Sequence, residues 1–304
     1  MLDFPQQNIR KEHFMKEFCK KHTLIFIIMV ILYALMTNLA TGFLQNCFAE
    51  NITSFYIVQT ICKCTFSLLP LILMVKWGYH FKTDKQKMRV GFFLGSICML
   101  YYPVTNLLPL ILLEVNYFSI RWKIVMVAAL AAFSVGLLEE TAIRGVLFPF
   151  FCEKWKDKKH ALLKAAFFSS FLFGCIHLNW SVRFLLINHT LSTEELAANL
   201  YQVYYAFCFG IFATGVTVYA KSIWPMVFWH GICDFSAFII DGLIPQVSLN
   251  HFYNHNILSL QRVLDTYSIL PGCSFGAELI QGIINFIFVI VGIVLIKKAE
   301  KVQR

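Results

Sequence analysis

The chain has 304 residues, 58% of them hydrophobic and only 14% charged, with 31 phenylalanines and a mean hydropathy of +0.66. A soluble domain carries about 25% charged residues, so this composition excludes an ordinary water-soluble globule and points to a membrane protein. The net charge of +9 invites a nucleic-acid reading, which the placement of the charges argues against.

Residues 1–22 form a basic segment that leads into an apolar run from Thr23 to about Leu44. That run exceeds the roughly 7–15 residues of a signal-peptide core, so it reads as a retained anchor. Crossing a hydrocarbon core of about 30 Å at about 1.5 Å per residue takes about 20 apolar residues. Blocks of that kind predict spans at 23–46, 56–75, 91–115, 125–151, 161–178, 200–220, 223–243 and 277–296. The expectation is an all-α polytopic membrane protein, about eight transmembrane helices in one bundle over 23–296. A tail, 297–304, closes it without a lipidation motif.

With the N-terminus in the cytoplasm, the inner segments hold five Lys or Arg at 10–21, five at 76–89, five at 154–164, Lys221, and four at 297–304. The outer loops hold Arg121, Lys123, Arg183 and Arg262. This is the positive-inside asymmetry, so the basic charge is topological and no nucleic-acid partner is expected. Both termini are expected in the cytoplasm of what reads as a bacterial plasma membrane.

The ten cysteines read as structural: most lie inside spans, and the Cys62-Lys63-Cys64 stretch lacks zinc-finger spacing. Cys47 and Cys273 both fall on the outer side, but nothing in their placement forces a disulfide. The outer loop 244–276, with its Pro271-Gly272 turn, is expected to cap the bundle.

Three polar groups interrupt the apolar helices: GLLEETAIR around Glu139, FLFGCIHLNW around His177, and WPMVFWHGICDF around His230. A charged residue at a helix centre costs about 2.5–3.5 kcal/mol, against a gain of about 0.3–0.6 for each Leu, Ile, Phe or Val. Glu139, Glu140 and Arg144 therefore cancel much of what their span gains, and pairing lowers that cost. Glu140 and Arg144 stand four apart with the acid first, the favoured order for a helical ion pair. Glu139 sits about 100° round the helix, without a built-in partner, and is the better candidate for a reactive carboxylate.

Phe173 and His177 share a face at i and i+4, as do His230 and Asp234. Carboxylates beside imidazoles in a pocket screened from bulk water suit general acid–base hydrolysis. Each group alone also reads as structural: the Glu–Arg pair as a clamp, each histidine as an interhelical hydrogen-bonder, and Trp224, Phe228 and Trp229 as interface or core aromatics. From these span ends, His230 lies about 10 Å above the inner boundary, Glu139 about 17 Å and His177 about 24 Å. One site therefore requires that the helices tilt or that the fifth begins later than Ala161.

The order of these motifs resembles a known family. Glu139-Glu140-Thr-Ala-Ile-Arg144 is similar to the EExxxR motif of the CPBP intramembrane proteases, which include the type II CAAX prenyl endopeptidases and the bacteriocin-processing and self-immunity (Abi) proteins. Phe173-Gly-Cys-Ile-His177 resembles their FxxxH motif, and His230-Gly-Ile-Cys-Asp234, after Trp224-Pro225, resembles their HxxxN element. The resemblance covers about 125–243, the expected catalytic core.

It implies an intramembrane endopeptidase acting on a membrane-associated peptide or protein within the lipid bilayer. Glu139 and His177 would activate the water, His230 and Asp234 would hold the oxyanion, and Arg144 would organise the glutamates. Asp234 departs from the pattern, since an ionised carboxylate cannot donate to an oxyanion as an Asn amide can. Zinc on Glu139, His177 and His230 is the alternative to a metal-free site, as for a metalloprotease, though HExxH is absent. Two other functions stay open: a non-catalytic bacteriocin-immunity or scaffold protein, and a proton-coupled transporter, against which the absence of an internal repeat counts.

Overall fold

The computed structural model describes residues 17, 21–76, 85–101, 103–104, 121–178, 193–239 and 274–303, and among these it contains helices and no strand. In chain order the helices are α1 (Thr23–Phe48), α2 (Ile52–Lys76), α3 (Lys85–Met99), α4 (Trp122–Lys154), α5 (Ala161–Ile176), α6 (Thr193–Ala220), α7 (Trp224–Phe238) and α8 (Ser274–Gln303). Five of these, α1, α2, α4, α6 and α8, contain stretches long and apolar enough to cross a membrane. The described lengths of α3, α5 and α7 are 15, 16 and 15 residues, shorter than a full crossing needs. The expected loop 244–276 and Cys273 lie outside the described residues, apart from the first turn of α8, while Cys47 is a free thiol.

The helix starts follow local chemistry. Asn51 and Ser54 bond reciprocally ahead of α2: Ser54 N–H donates to Asn51 Oδ1 at 3.1 Å and Asn51 N–H to Ser54 Oγ at 3.0 Å. This is the capping-box arrangement, which satisfies two otherwise orphaned donors. Pro225 stands in the first turn of α7, where its missing N–H removes no helical bond.

α4 is the organising helix. It packs against α2, α7 and, at its C-terminal end, α5, while α6 lies between α5 and α8 and α3 crosses α7 and α6. Only 6% of the apolar window of α1 is covered by protein, against 67% for α6, so α1 is peripheral and α6 central. The exposed side chains of α1, including Leu24, Met29, Met36 and Phe43, present the apolar surface a helix offers to lipid.

Small residues set the close crossings. A Cβ on Gly215 would lie 2.6 Å from the carbonyl oxygen of Gly292, and one on Gly292 would lie 2.6 Å from that of Ile211. With lipid outside, helices associate through such intimate packing and not through a hydrophobic drive. We expect Gly215→Leu to separate α6 from α8 and to lower stability by about 1–3 kcal/mol, the usual cost of overpacking. Thermal unfolding in detergent checks this, with the lipid-facing Phe286→Ala on α8 as the control that leaves the midpoint nearly unchanged.

Candidate active site

The site begins in an irregular stretch of α4. After Glu140 the α-helix gives way to one π-helical segment, Thr141–Leu147, before α-geometry resumes at Phe148. Widening the turn displaces hydrogen bonds from their usual carbonyls, and Thr141 compensates: its hydroxyl donates to Leu137 O at 2.6 Å and also lies 3.0 Å from Leu138 O. Such π-segments are frequent at functional sites. The segment lies immediately after the two glutamates and contains Arg144.

Glu140 and Arg144 are both fully buried, with Arg144 Nη1 donating to Glu140 Oε1 at 3.1 Å. The same oxygen accepts from His230 Nδ1 at 2.8 Å. An ionised carboxylate only accepts, so this bond places a proton on Nδ1 and turns Nε2 toward the remaining acids. Glu139 Oε2 lies 3.6 Å from Nε2 and Asp234 Oδ2 3.8 Å from it. Both separations exceed a direct hydrogen bond.

The expectation that Glu140 serves Arg144 while Glu139 faces elsewhere is therefore incomplete. Both glutamates reach His230, one at each nitrogen. They differ in access: the Glu139 side chain is 27% exposed and that of Glu140 is 0%.

Aromatic rings complete the setting. Arg144 Cζ stands 4.8 Å from the Phe173 ring centre and 5.4 Å from that of Phe209, in range of cation–π attraction. These faces flank a guanidinium whose Nε and Nη2 have no hydrogen-bond partner among the described residues. Phe173 also meets the His177 ring edge-on at 4.8 Å and the His230 ring at 6.4 Å, so its side chain stands between the two imidazoles. His177 Nδ1 donates to Phe173 O at 2.8 Å, which leaves Nε2 as the free nitrogen of that ring.

His177 occupies the turn just after α5, not the interior of a span, and it forms no ion pair with Glu139, Glu140 or Asp234. Phe209 lies 4.9 Å from the His230 ring and belongs to the site, although no polar signal in the sequence marks it. Trp224 and Phe228 are partly exposed, and Trp229 donates to Phe92 O at 2.9 Å, so these aromatics serve packing.

His230 and Glu139 come together although the span ends put them at different depths. The α6–α7 junction is covered by protein: Ser222 and Ile223 are each 1% exposed, and Gly91 of α3 fits against Ala220 and Pro225. Closeness to α4 comes from two glycines. A Cβ on Gly136 would sit 2.9 Å from Val227 O, and one on Gly231 would sit 2.5 Å from the Phe133 ring. The α4 and α7 backbones meet there, one turn from Glu139–Glu140 and beside His230.

Residues 121–236 match the family model described as Rce1-like, type II CAAX prenyl endopeptidase. Over that segment the chain is similar to the Rce1-like family. The match runs from the start of α4 into α7 and contains all of Glu139, Glu140, Arg144, Phe173, His177, His230 and Asp234. It bears out the resemblance to the CPBP proteases carried by the three motifs. No curated protein and no solved structure gives a significant match.

Among the described residues, no group of three or more His, Cys, Asp or Glu side chains is placed to hold a metal ion. Removing one partner of a buried ion pair strands the other charge. We expect Glu140→Ala, which strands Arg144, to destabilise the protein by about 3–5 kcal/mol in detergent unfolding. The partly exposed Glu139→Ala leaves the Arg144–Glu140–His230 chain intact and shifts the midpoint far less.

Proposed function

We propose that the protein is an intramembrane endopeptidase that hydrolyses a peptide bond of a membrane-associated peptide or protein. The observation that carries this reading is the Glu139–His230 pair held by a buried Glu140, in a segment of a protease family. In the proposed reaction, Glu139 removes a proton from water as the oxygen adds to the substrate carbonyl carbon. His177, tethered through Nδ1, turns its free Nε2 toward that water. The tetrahedral oxyanion takes a hydrogen bond from His230 Nε2 when both ring nitrogens carry protons. Glu139 then returns its proton to the leaving nitrogen as the C–N bond breaks, giving an acid and an amine. This division of labour is the positioned acid–base and oxyanion chemistry of amide hydrolysis. It uses no metal step.

The family description names prenyl endopeptidases, so the substrate class we propose is a peptide tethered to the bilayer near its cleavage site. For topology we propose eight spans, with α3, α5 and α7 crossing the bilayer alongside the five longer helices, and both termini in the cytoplasm of a bacterial plasma membrane. The inner concentration of Lys and Arg supports this orientation.

A non-catalytic scaffold or immunity role is favoured by one observation. Asp234 stands where the family pattern has Asn, and its ionised carboxylate cannot donate to an oxyanion. The deciding experiment co-expresses the protein with a membrane-anchored candidate substrate. We expect Glu139→Ala to abolish cleavage, by at least about 100-fold, while the protein inserts at wild-type levels. Equal cleavage by wild type and variant would falsify the catalytic role of Glu139, and a phenotype unaffected by Glu139→Gln would favour the scaffold.

A further inference from the structure

Lys63 lies outside the family match, and no motif includes it. Yet it is a buried cation on α2, with Nζ donating to Asn38 Oδ1 of α1 at 2.6 Å. Two sets of contacts fix its level in the bundle. Phe55 and Tyr56 pack with Ile124, Ala128 and Ala131 of α4, and further along Met74 Sδ lies 2.8 Å from where a Cβ on Gly145 would sit. The two helices run in the same direction, so Lys63, seven residues after Tyr56, comes level with roughly residue 135 of α4, about one turn before Glu139. On the other side, Tyr56 O–H donates to Phe238 O of α7 at 3.3 Å. Counted back along that antiparallel helix, Lys63 comes level with roughly residue 231, one turn from Asp234. A lysine side chain spans about one helical turn.

The charges there do not balance without it. Arg144 and His230 both bond Glu140 Oε1, its Oε2 has no hydrogen-bond partner among the described residues, and Glu139 and Asp234 face the single Nε2 of His230. Asp234 Oδ2 is a buried oxygen without a hydrogen-bond partner among the described residues. By that register Lys63 is brought to the level of Glu139 and Asp234, though it forms no direct ion pair with either among the described residues.

We propose that Lys63, anchored by Asn38, is a positioning residue that counter-charges Asp234 and so lets the site carry aspartate where the family pattern has asparagine. The assignment rests on the family reading of position 234 and, for its activity arm, on the endopeptidase reading. With asparagine at 234 the acid that needs Lys63 is gone, so the two positions are energetically coupled. A Lys63 that merely fills a polar gap between α1 and α2 predicts no such coupling.

The test is a double-mutant cycle on the full-length protein in nanodiscs, comparing wild type, Lys63→Met, Asp234→Asn and the double variant. Thermal midpoint and cleavage of the anchored substrate are both read. Lys63→Met is expected to lower the midpoint and to cut kcat by about tenfold with KM changed less than about twofold, and adding Asp234→Asn is expected to restore kcat to within about threefold of wild type. Lys63→Arg, which keeps the charge, retains most of the activity. Additive effects in both readouts overturn the proposal. Should Lys63→Met fail to accumulate, accumulation of the double variant is the expected rescue, and its failure overturns the proposal too. If the wild type cleaves nothing, the endopeptidase reading falls while the thermal coupling still decides the role of Lys63.

Discussion

Glu140 Oε1 accepts from Arg144 Nη1 and His230 Nδ1 together where α4 meets α7, with Glu140 and Arg144 fully buried. A carboxylate, a guanidinium and an imidazole taken out of water are each costly alone, and desolvation is offset only where geometry and hydrogen bonding are good. That requirement fixes the neighbourhood. Arg144 must stand within reach of Glu140, which the π-helical segment provides. His230 must approach α4 closely, which Gly136 and Gly231 permit. Glu139, one residue away, is then left facing the second nitrogen of an imidazole it does not itself orient. The carboxylate proposed to react and the structural one are adjacent in sequence and separated by access to solvent.

Much of this was legible in the residues. The Glu140–Arg144 spacing gave the ion pair, the i, i+4 pairs gave the faces of α5 and α7, and apolar runs gave the starts of α1, α5 and α7 to within a residue. What stayed hidden was three-dimensional. A π-segment has no sequence signature that a periodicity argument detects, so the shared bond of Glu140 to His230 was not foreseen. The meeting of His230 with Glu139 did not follow from the span ends, because the start of α7 packs against α3 and apolar composition cannot distinguish cover by protein from cover by lipid. His177 falls in a turn because α5 ends at Ile176, an end that no proline or charge marks. Phe209 carries no polar signal at all. Lys63 did have one: among 26 Lys and Arg, twenty assigned to inner segments, Lys164 at the start of α5 among them, and four in outer loops leave Arg144 and Lys63 in the interior of spans.

The bilayer explains why so small a polar inventory can be decisive. Water competes for surface charges, but along a membrane helix each ionisable group must find its partner within the protein. Glu139, Glu140, Arg144, His230, Asp234 and Lys63 come from three helices and are linked by bonds or by charge, while the rest of those helices is largely apolar. Rigid glycine-lined crossings between α6 and α8, and between α4 and α7, then hold the arrangement without help from a hydrophobic drive.

The central claim is that His230 is held between the two glutamates, with Glu140 on Nδ1. Solid-state NMR on isotope-labelled protein in lipid measures this most directly, through dipolar coupling between the imidazole nitrogens and the glutamate carboxyl carbons. The account predicts strong coupling of Nδ1 to the Glu140 carboxyl and weaker coupling of Nε2 to that of Glu139. An Nδ1 coupled to no carboxyl carbon, with Arg144 still paired to Glu140, would contradict it.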